Sequence, residues 1–125
     1  VEFAGRTERL SDEFLRAGFL VLPSRVEGMS NVLLEAQAAG LPAVVSDIPG
    51  NLAVVRDGEN GLVVPVGDVE ALANAMVRLY RSPELRAQMG RAARARMAEH
   101  FAIEKIVARL EEVYTQAQAN RKTHP

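Results

Sequence analysis

Short apolar runs alternate along the chain with longer stretches in which apolar residues recur every three or four positions. The short runs predict strands, at residues 1–4, 19–22, 43–45 and 62–64. The periodic stretches predict helices, at residues 10–17, 30–39, 68–81, from 83 onward and 103–114. Strands that alternate with helices are typical of an α/β fold, in which the sheet is mostly parallel and its crossovers are right-handed.

Local signals mark where several helices begin and end. Asp68 is the predicted N-cap of one helix, and Ser82 that of the next. Gly40 suits the left-handed position that follows a helix. The helix at 68–81 has one apolar side, formed by Val69, Leu72, Ala73, Met76, Leu79 and Tyr80. The polar end of the chain, after about residue 118, is predicted to fray.

The segment 48–60 fits two different structures. It fits a short helix over residues 51–56. It fits equally a hairpin in which residues 54–55 pair with the strand at 62–64 around a turn at Asp57. The pattern alone does not separate these alternatives, and both remain open at this point.

Composition excludes several classes of protein. The chain has 125 residues, 48% hydrophobic and 25% charged, which allows one domain with a modest core. A net charge of −1 favours neither nucleic acid nor an anionic membrane as a partner. The lack of cysteine excludes a disulfide scaffold, and no His, Asp and Glu cluster has metal-ligand spacing. No apolar run approaches the roughly 18 residues that span a bilayer, and no secretory signal is visible. We therefore expect a cytoplasmic protein.

The most informative segment is EGMSNVLLEAQAAG, at residues 27–40. It places two carboxylates, Glu27 and Glu35, eight positions apart, around four residues that lead into a helix. These four are Gly28, Met29, Ser30 and Asn31. A helix N-terminus has free backbone N–H groups that attract phosphate, and a carboxylate accepts hydrogen bonds from sugar hydroxyls. The arrangement suits a nucleotide sugar, whereas two solvated surface charges are the plainer interpretation.

Two acidic residues, Glu27 and Asp47, each follow a predicted strand at the carboxyl edge of the sheet. Ligands of open parallel sheets bind beyond that edge. For Asp47 we favour a structural role, as a turn or cap at the end of the strand, over a ribose-binding role. A glycosidase also needs two carboxylates, but nothing in the sequence places Glu27 and Glu35 across a substrate from each other.

Six arginines fall within residues 78–96: Arg78, Arg81, Arg86, Arg91, Arg94 and Arg96. At 100° per residue, the last three spread around their helix and form no stripe. This distribution indicates a solvated face, with a membrane-surface patch as the alternative.

Residues 19–51, FLVLPSRVEGMSNVLLEAQAAGLPAVVSDIPGN, resemble the donor-binding segment of the retaining GT-B glycosyltransferases of family four, the glycosyl transferases of group 1. The likeness continues through VVRDGENGLVVPVGDVEAL. It implies a Rossmann-like three-layer parallel sheet, and it favours the helix over the hairpin in segment 48–60. Residues 1–100 are then expected to be the later part of the nucleotide-sugar-binding domain. Residues 101–125 are expected to form a C-terminal helix, with a frayed tail, that returns toward an N-terminal domain missing from this chain.

The resemblance also implies roles for the residues around the helix start. Glu27 would contact hydroxyls of the donor sugar, and we expect it to act as an orienting acceptor rather than as a covalent nucleophile. The amides of residues 28–31 would lie against the sugar and the diphosphate, where Gly28 permits close approach of the backbone. Glu35 would accept hydrogen bonds from ribose. The expected donor is a nucleoside diphosphate sugar, with no cofactor and no metal.

The resemblance leaves the acceptor open, as a carbohydrate, a lipid-linked molecule or a small molecule, with peripheral membrane contact as one option. The family's basic pair for the diphosphate lies upstream of the first strand, and its acceptor-side groups lie in the other domain. The chain alone is therefore expected to be inactive. The alternative function is a non-catalytic nucleotide-sugar-binding module or an interaction domain. The apolar stripe of the last helix, at 103–114, is expected to be partly exposed.

Overall fold

The computed structural model describes residue 5 and residues 10–26, 28–101 and 103–123. Within them a three-stranded parallel sheet, in the order β1-β2-β3, is packed between helices. The elements are α1 Leu10–Arg16, β1 Leu20–Leu22, α2 Asn31–Ala38, β2 Ala43–Ser46, α3 Pro49–Leu52, β3 Gly61–Val64, α4 Val69–Arg81, α5 Pro83–His100 and α6 Ile103–Thr123. The predicted α/β class and parallel sheet are confirmed. The strand predicted at residues 1–4 lies outside the described residues.

Strand β2 is the centre of the sheet. It pairs with β1, with Leu20 opposite Ala43, and with β3, with Ala43 opposite Gly61. All four of its residues are buried, as expected for a parallel strand that is covered on both faces. A Cβ atom on Gly61 would lie 2.3 Å from the carbonyl oxygen of Ala43, so only glycine lets the two strands approach this closely.

Alternate side chains of the strands enter two separate parts of the core. On one face of the sheet, α4 and α5 contribute to a cluster of Val44, Leu62, Val64, Ala75, Leu79 and Met89. On the other face, α2 and the end of α5 contribute to a cluster of Leu33, Ala43, Val45, Val54, Val55 and Met97. The sheet is therefore the middle of three layers, with α2 on one side and α4 on the other.

The predicted helix boundaries that depend on capping side chains are confirmed. The Asp68 carboxylate accepts a hydrogen bond from the Ala71 amide at 2.9 Å. The Ser82 hydroxyl accepts one from the Leu85 amide at 3.1 Å. Gly40 has φ +79°, the left-handed conformation expected after α2.

The segment 48–60 contains the favoured helix, but its predicted bounds are wrong. The helix α3 begins at Pro49, which suits the first position of a helix, and ends at Leu52. The hairpin alternative is also wrong, because residues 54–55 form no strand and β3 pairs in parallel with β2.

The apolar side predicted for α4 is only partly buried. Leu79 is fully buried and Leu72 half-buried, but Val69 and Tyr80 are each 77% exposed. The sheet contacts only the side of the helix that carries Leu72 and Leu79. Apolar residues that recur every three or four positions cover a wider side of the helix than the sheet contacts. Val69 and Tyr80, at the margins of that side, therefore remain exposed.

Helix α6 runs from Ile103 to Thr123, and the fraying predicted after about residue 118 stays a prediction. The described apolar residues of its stripe are exposed, as expected: Val107, Leu110, Val113 and Tyr114. Nowhere in the described part of the chain is a helix both long and apolar enough to cross a bilayer.

Three arginines of α5 are not simply solvated, so that interpretation is wrong for them. Arg86, Arg94 and Arg96 each donate hydrogen bonds to carbonyls at the end of another helix. The bonds are Arg86 Nη1 to Leu79 O at 2.6 Å, Arg94 Nη2 to Ala39 O at 3.2 Å and Arg96 Nε to Val54 O at 2.9 Å. The charges of Arg86 and Arg94 lie at the negative ends of α4 and α2, which stabilises these helices, and Arg96 binds the turn that follows α3.

Candidate functional site

The loop between β1 and α2 lies at the carboxyl edge of the sheet. It is tied to β2 because the buried Ser46 hydroxyl donates a hydrogen bond to the carbonyl of Ser24. The amide side chain of Asn51 in turn donates to the carbonyl of Ser46 at 3.0 Å. These contacts hold the start of the loop against the next strand.

Asp47 has the structural role that we favoured. Its amide donates to the carbonyl of Val64 at 3.0 Å, and its Oδ1 accepts a hydrogen bond from the amide of Val66 at 2.9 Å. The carboxylate therefore joins the end of β2 to the chain that leaves β3.

The N-terminus of α2 opens at this edge. Ser30 is its N-cap: the backbone there is extended, and the hydroxyl accepts the amide hydrogen of Leu33 over a long 3.4 Å. The amides of Asn31 and Val32 precede the first intrahelical bond, and both residues are exposed. The helix therefore presents free donors to the surface.

The charge at this helix end is not offset by acidic neighbours within the helix. The first turns of α1, α4 and α5 each contain Asp or Glu, whereas that of α2 contains none. The partial positive charge of the α2 N-terminus is thus available to an anion.

Gly28 is exposed in the loop just before α2. Among the described residues, no atom comes within 4 Å of the position that its Cβ would occupy. Packing against the described residues therefore does not require glycine here.

Glu35 lies on α2 with its side chain exposed. Within residues 10–26, 28–101 and 103–123, no hydrogen bond or ion pair involves its carboxylate. Helical side chains lean toward the N-terminus, which directs Glu35 toward the helix start. Met29, at the same helix start, is also exposed. Glu27 lies outside the described residues.

A cavity of about 120 Å³ at the carboxyl edge was not expected. It lies between the loop after β1 and the start of α4, and its lining includes Pro23, Arg25, Ser46 and Gly67. Neither residues 28–31 nor Glu35 line it. Arg25, three residues after the end of β1, was not among the residues predicted for the site, although a cation near the carboxyl end of a strand is a signal that the sequence offers. Among the described residues, no three His, Cys, Asp or Glu side chains come together as a metal site.

Comparison with known proteins gives consistent matches. The family model described as "Glycosyl transferases group 1" matches residues 1–96. An exopolysaccharide phosphotransferase of Streptomyces coelicolor is 41% identical over 97% of this chain and 13% of its own length. A D-inositol 3-phosphate glycosyltransferase of Streptomyces griseus is 39% identical over 92% of this chain and 24% of its own length.

Among solved structures, sucrose-phosphate synthase from Thermosynechococcus elongatus superposes with a TM-score of 0.90 at 34% identity. The match covers 96% of this chain and 31% of that protein. The chain therefore spans less than a third of each of these three proteins, and the matches confirm both the resemblance and the fold class derived from it.

Proposed function

We propose that this chain, which belongs to the glycosyl transferases of group 1, holds the donor substrate of an enzyme. The enzyme would transfer a sugar from a nucleoside diphosphate sugar, with retention of anomeric configuration. The observation that carries the proposal is the α2 N-terminus, which opens at the carboxyl edge of the parallel sheet with no acid in its first turn. This edge is where open α/β sheets bind ligands.

The diphosphate is the leaving group, and the negative charge that it gains must be stabilised. In our proposal the amides of Gly28, Met29, Ser30 and Asn31 donate hydrogen bonds to it. Preorganised donors of this kind act strongly, since removing one from an oxyanion site costs about 10²- to 10³-fold in rate. No described atom lies within 4 Å of the position that a Cβ on Gly28 would occupy, which supports this assignment because those atoms leave room for a bulky anion.

The two acids would hold the sugars at either end of the diphosphate. Glu35 is exposed and without a partner among the described residues, so its carboxylate is free to accept hydrogen bonds from ribose hydroxyls. Glu27 would accept hydrogen bonds from hydroxyls of the transferred sugar and so orient that sugar. We propose no covalent bond to Glu27, and no metal or cofactor takes part.

Transfer is proposed for the whole protein and not for these residues alone. The relatives' names specify different reactions, so the acceptor is proposed only by class, as a carbohydrate, a lipid-linked molecule or a small molecule.

Residues 101–125 are proposed to reach back to a second domain, which would supply the acceptor site. The cytoplasmic location and contact with a membrane surface also stay proposals, and fractionation of cells producing the whole protein tests both.

A donor screen on the whole protein tests this function. Thermal shift with UDP-, GDP- and ADP-sugars selects the donor, and transfer of its labelled sugar to simple glycosides or polyprenyl phosphates follows. NMR of the product then gives the anomeric configuration. We expect one donor to raise the melting temperature and its sugar to be transferred with retention. No shift with any donor contradicts the proposal, and a shift without transfer to any acceptor favours the non-catalytic module.

A further inference from the structure

Two buried amide side chains join α2 to the connection between α3 and β3. Gln37, on α2, and Asn60, just before β3, are at most 1% exposed. The Nδ2 of Asn60 donates to the Oε1 of Gln37 at 2.6 Å. The Nε2 of Gln37 donates to the carbonyl of Asn60 at 3.2 Å and to that of Leu41 at 2.9 Å. The two residues thus exchange hydrogen bonds across 23 positions of the chain.

The surrounding groups allow only one orientation of each amide. The Oδ1 of Asn60 accepts the amide hydrogen of Arg56 at 2.8 Å, while its Nδ2 also donates to the carbonyl of Val54 at 2.9 Å. Turning either amide over would place oxygen against carbonyl oxygen. Because every one of these bonds is directional, the pair specifies one relative placement of α2 and the connection.

We propose that Gln37 and Asn60 are positioning residues for the donor site: their paired amides fix the rotation of α2, and with it the direction of Glu35 and of the first-turn amides. This inference rests on the proposed function. Gln37 follows Glu35 by two residues, or about 200° around the helix. The buried anchor and the exposed carboxylate are therefore on nearly opposite sides of α2, as their burial also shows.

Small rotations of this helix would matter to the site. A helix with its side chains has a radius of about 5–6 Å, so a rotation of about 20° moves a side-chain end by about 2 Å. A misplacement of about 1 Å at a reacting group can cost about 10²-fold in rate. The directional hydrogen bonds of the amide pair restrict such a rotation in addition to the close packing of Leu33 and Ala36, which are both fully buried.

A hydrogen bond from Arg94 to the C-terminal end of α2 restrains the helix in a different direction from the Gln37–Asn60 pair. Arg94 donates to the carbonyl of Ala39 at 3.2 Å from the exposed side of the helix. Helix carbonyls point along the axis, so this bond limits sliding of α2 more than rotation. The Gln37–Asn60 pair, by contrast, restricts rotation, because its bonds run from the buried side of α2 to the chain before β3.

Kinetics of Gln37→Met in the whole protein test the inference. Methionine keeps the length of glutamine and removes all three hydrogen bonds. We expect kcat/KM for the donor to fall at least tenfold at temperatures where the variant is folded, with KM for the acceptor within twofold of the parent. The control is Leu79→Ala, which removes a fully buried side chain on the opposite face of the sheet. It should lower the melting temperature and leave both kinetic constants within twofold.

A second variant separates positioning from folding. Asn60→Asp keeps the acceptor for the Arg56 amide but sets a carboxylate oxygen against Gln37 Oε1 and the carbonyl of Val54, so kcat/KM for the donor should fall at least as far as in Gln37→Met, with a larger loss of melting temperature. The kcat/KM of the double variant for the donor should be no lower than that of the less active single variant. If Gln37→Met and Asn60→Asp both behave like Leu79→Ala, or if neither folds, the pair serves stability alone and the inference is overturned. A parent protein that transfers no sugar contradicts the proposed function instead.

Discussion

The glycine before α2 is the residue at which structure and proposed function can be separated most cleanly. Gly28→Ala should leave the free energy of unfolding within about 0.5 kcal/mol of the parent, because the added methyl group meets no described atom. It should weaken donor binding at least about tenfold, or ~1.4 kcal/mol, by holding the diphosphate away from the backbone. Urea unfolding and donor titration of the whole protein measure the two effects.

Gly58→Ala is the matched control for this substitution. No described atom lies within 4 Å of the Cβ position of Gly58 either, but its φ is +82°, so alanine there is strained by about 1–2 kcal/mol. Its donor affinity should equal that of the parent. If Gly28→Ala binds the donor as tightly as the parent does, the amides before α2 are not part of the diphosphate site.

Glu27 is predicted to orient the transferred sugar. Glu27→Gln and Glu27→Ala should each lower the transfer rate of the whole protein by more than about tenfold, an effect above ~1.4 kcal/mol. Glu59→Gln is the control, since Glu59 is an exposed acid whose ion pair to Arg56 spans 3.9 Å. Rates within tenfold of the parent for both Glu27 variants would exclude a central role for this residue.

At the level of elements, sequence reasoning succeeded where the cause is local. Asp68, Ser82 and Gly40 cap helices through contacts within about four residues, which a sequence pattern records. The arginines of α5 were misread because their partners are set by the fold: Arg94 meets a carbonyl 55 positions away. Charge spacing within one helix carries no information on such contacts.

In the candidate site, too, features within one continuous segment were predicted, whereas contacts between distant segments were not. The loop and helix start at residues 28–31 and the place of Glu35 on α2 were predicted, since they form one continuous segment beside a strand, while the roles of these residues stay predictions. Arg25 and the Gln37–Asn60 pair were overlooked. Gln37 appears in the sequence as one polar residue in an apolar run, and its partner is 23 positions away. Only the packed sheet brings the two amides together.

The arginine caps have a measurable consequence for stability. Arg96→Ala should lower the free energy of unfolding by about 1–2 kcal/mol, because the carbonyls of Val54 and Ala53 lose a charged donor. Arg91→Ala, on the same helix but exposed, should change it by less than about 0.5 kcal/mol. Urea unfolding of the whole protein measures both, and equal values would show that the guanidinium of Arg96 caps nothing in solution.

For the molecule as a whole, the exposed apolar stripe of α6 is the feature that most affects behaviour. Val107, Leu110, Val113 and Tyr114 are all exposed, and surfaces of this kind are usually covered in stable proteins. The isolated 125-residue chain should therefore self-associate. Multi-angle light scattering should show a mass that rises with concentration, and Leu110→Glu with Val113→Lys should reduce the association. A monodisperse monomer at all concentrations would contradict this prediction.

The central claim is that the N-terminus of α2 binds the diphosphate of the donor. A crystal structure of the whole protein, with the nucleoside diphosphate of the donor found by thermal shift, tests it most directly. We predict phosphate oxygens within about 3.2 Å of backbone nitrogens in residues 28–31 and a ribose hydroxyl that donates to Glu35. A diphosphate bound elsewhere, or an α2 N-terminus covered by other parts of the protein, would contradict the account.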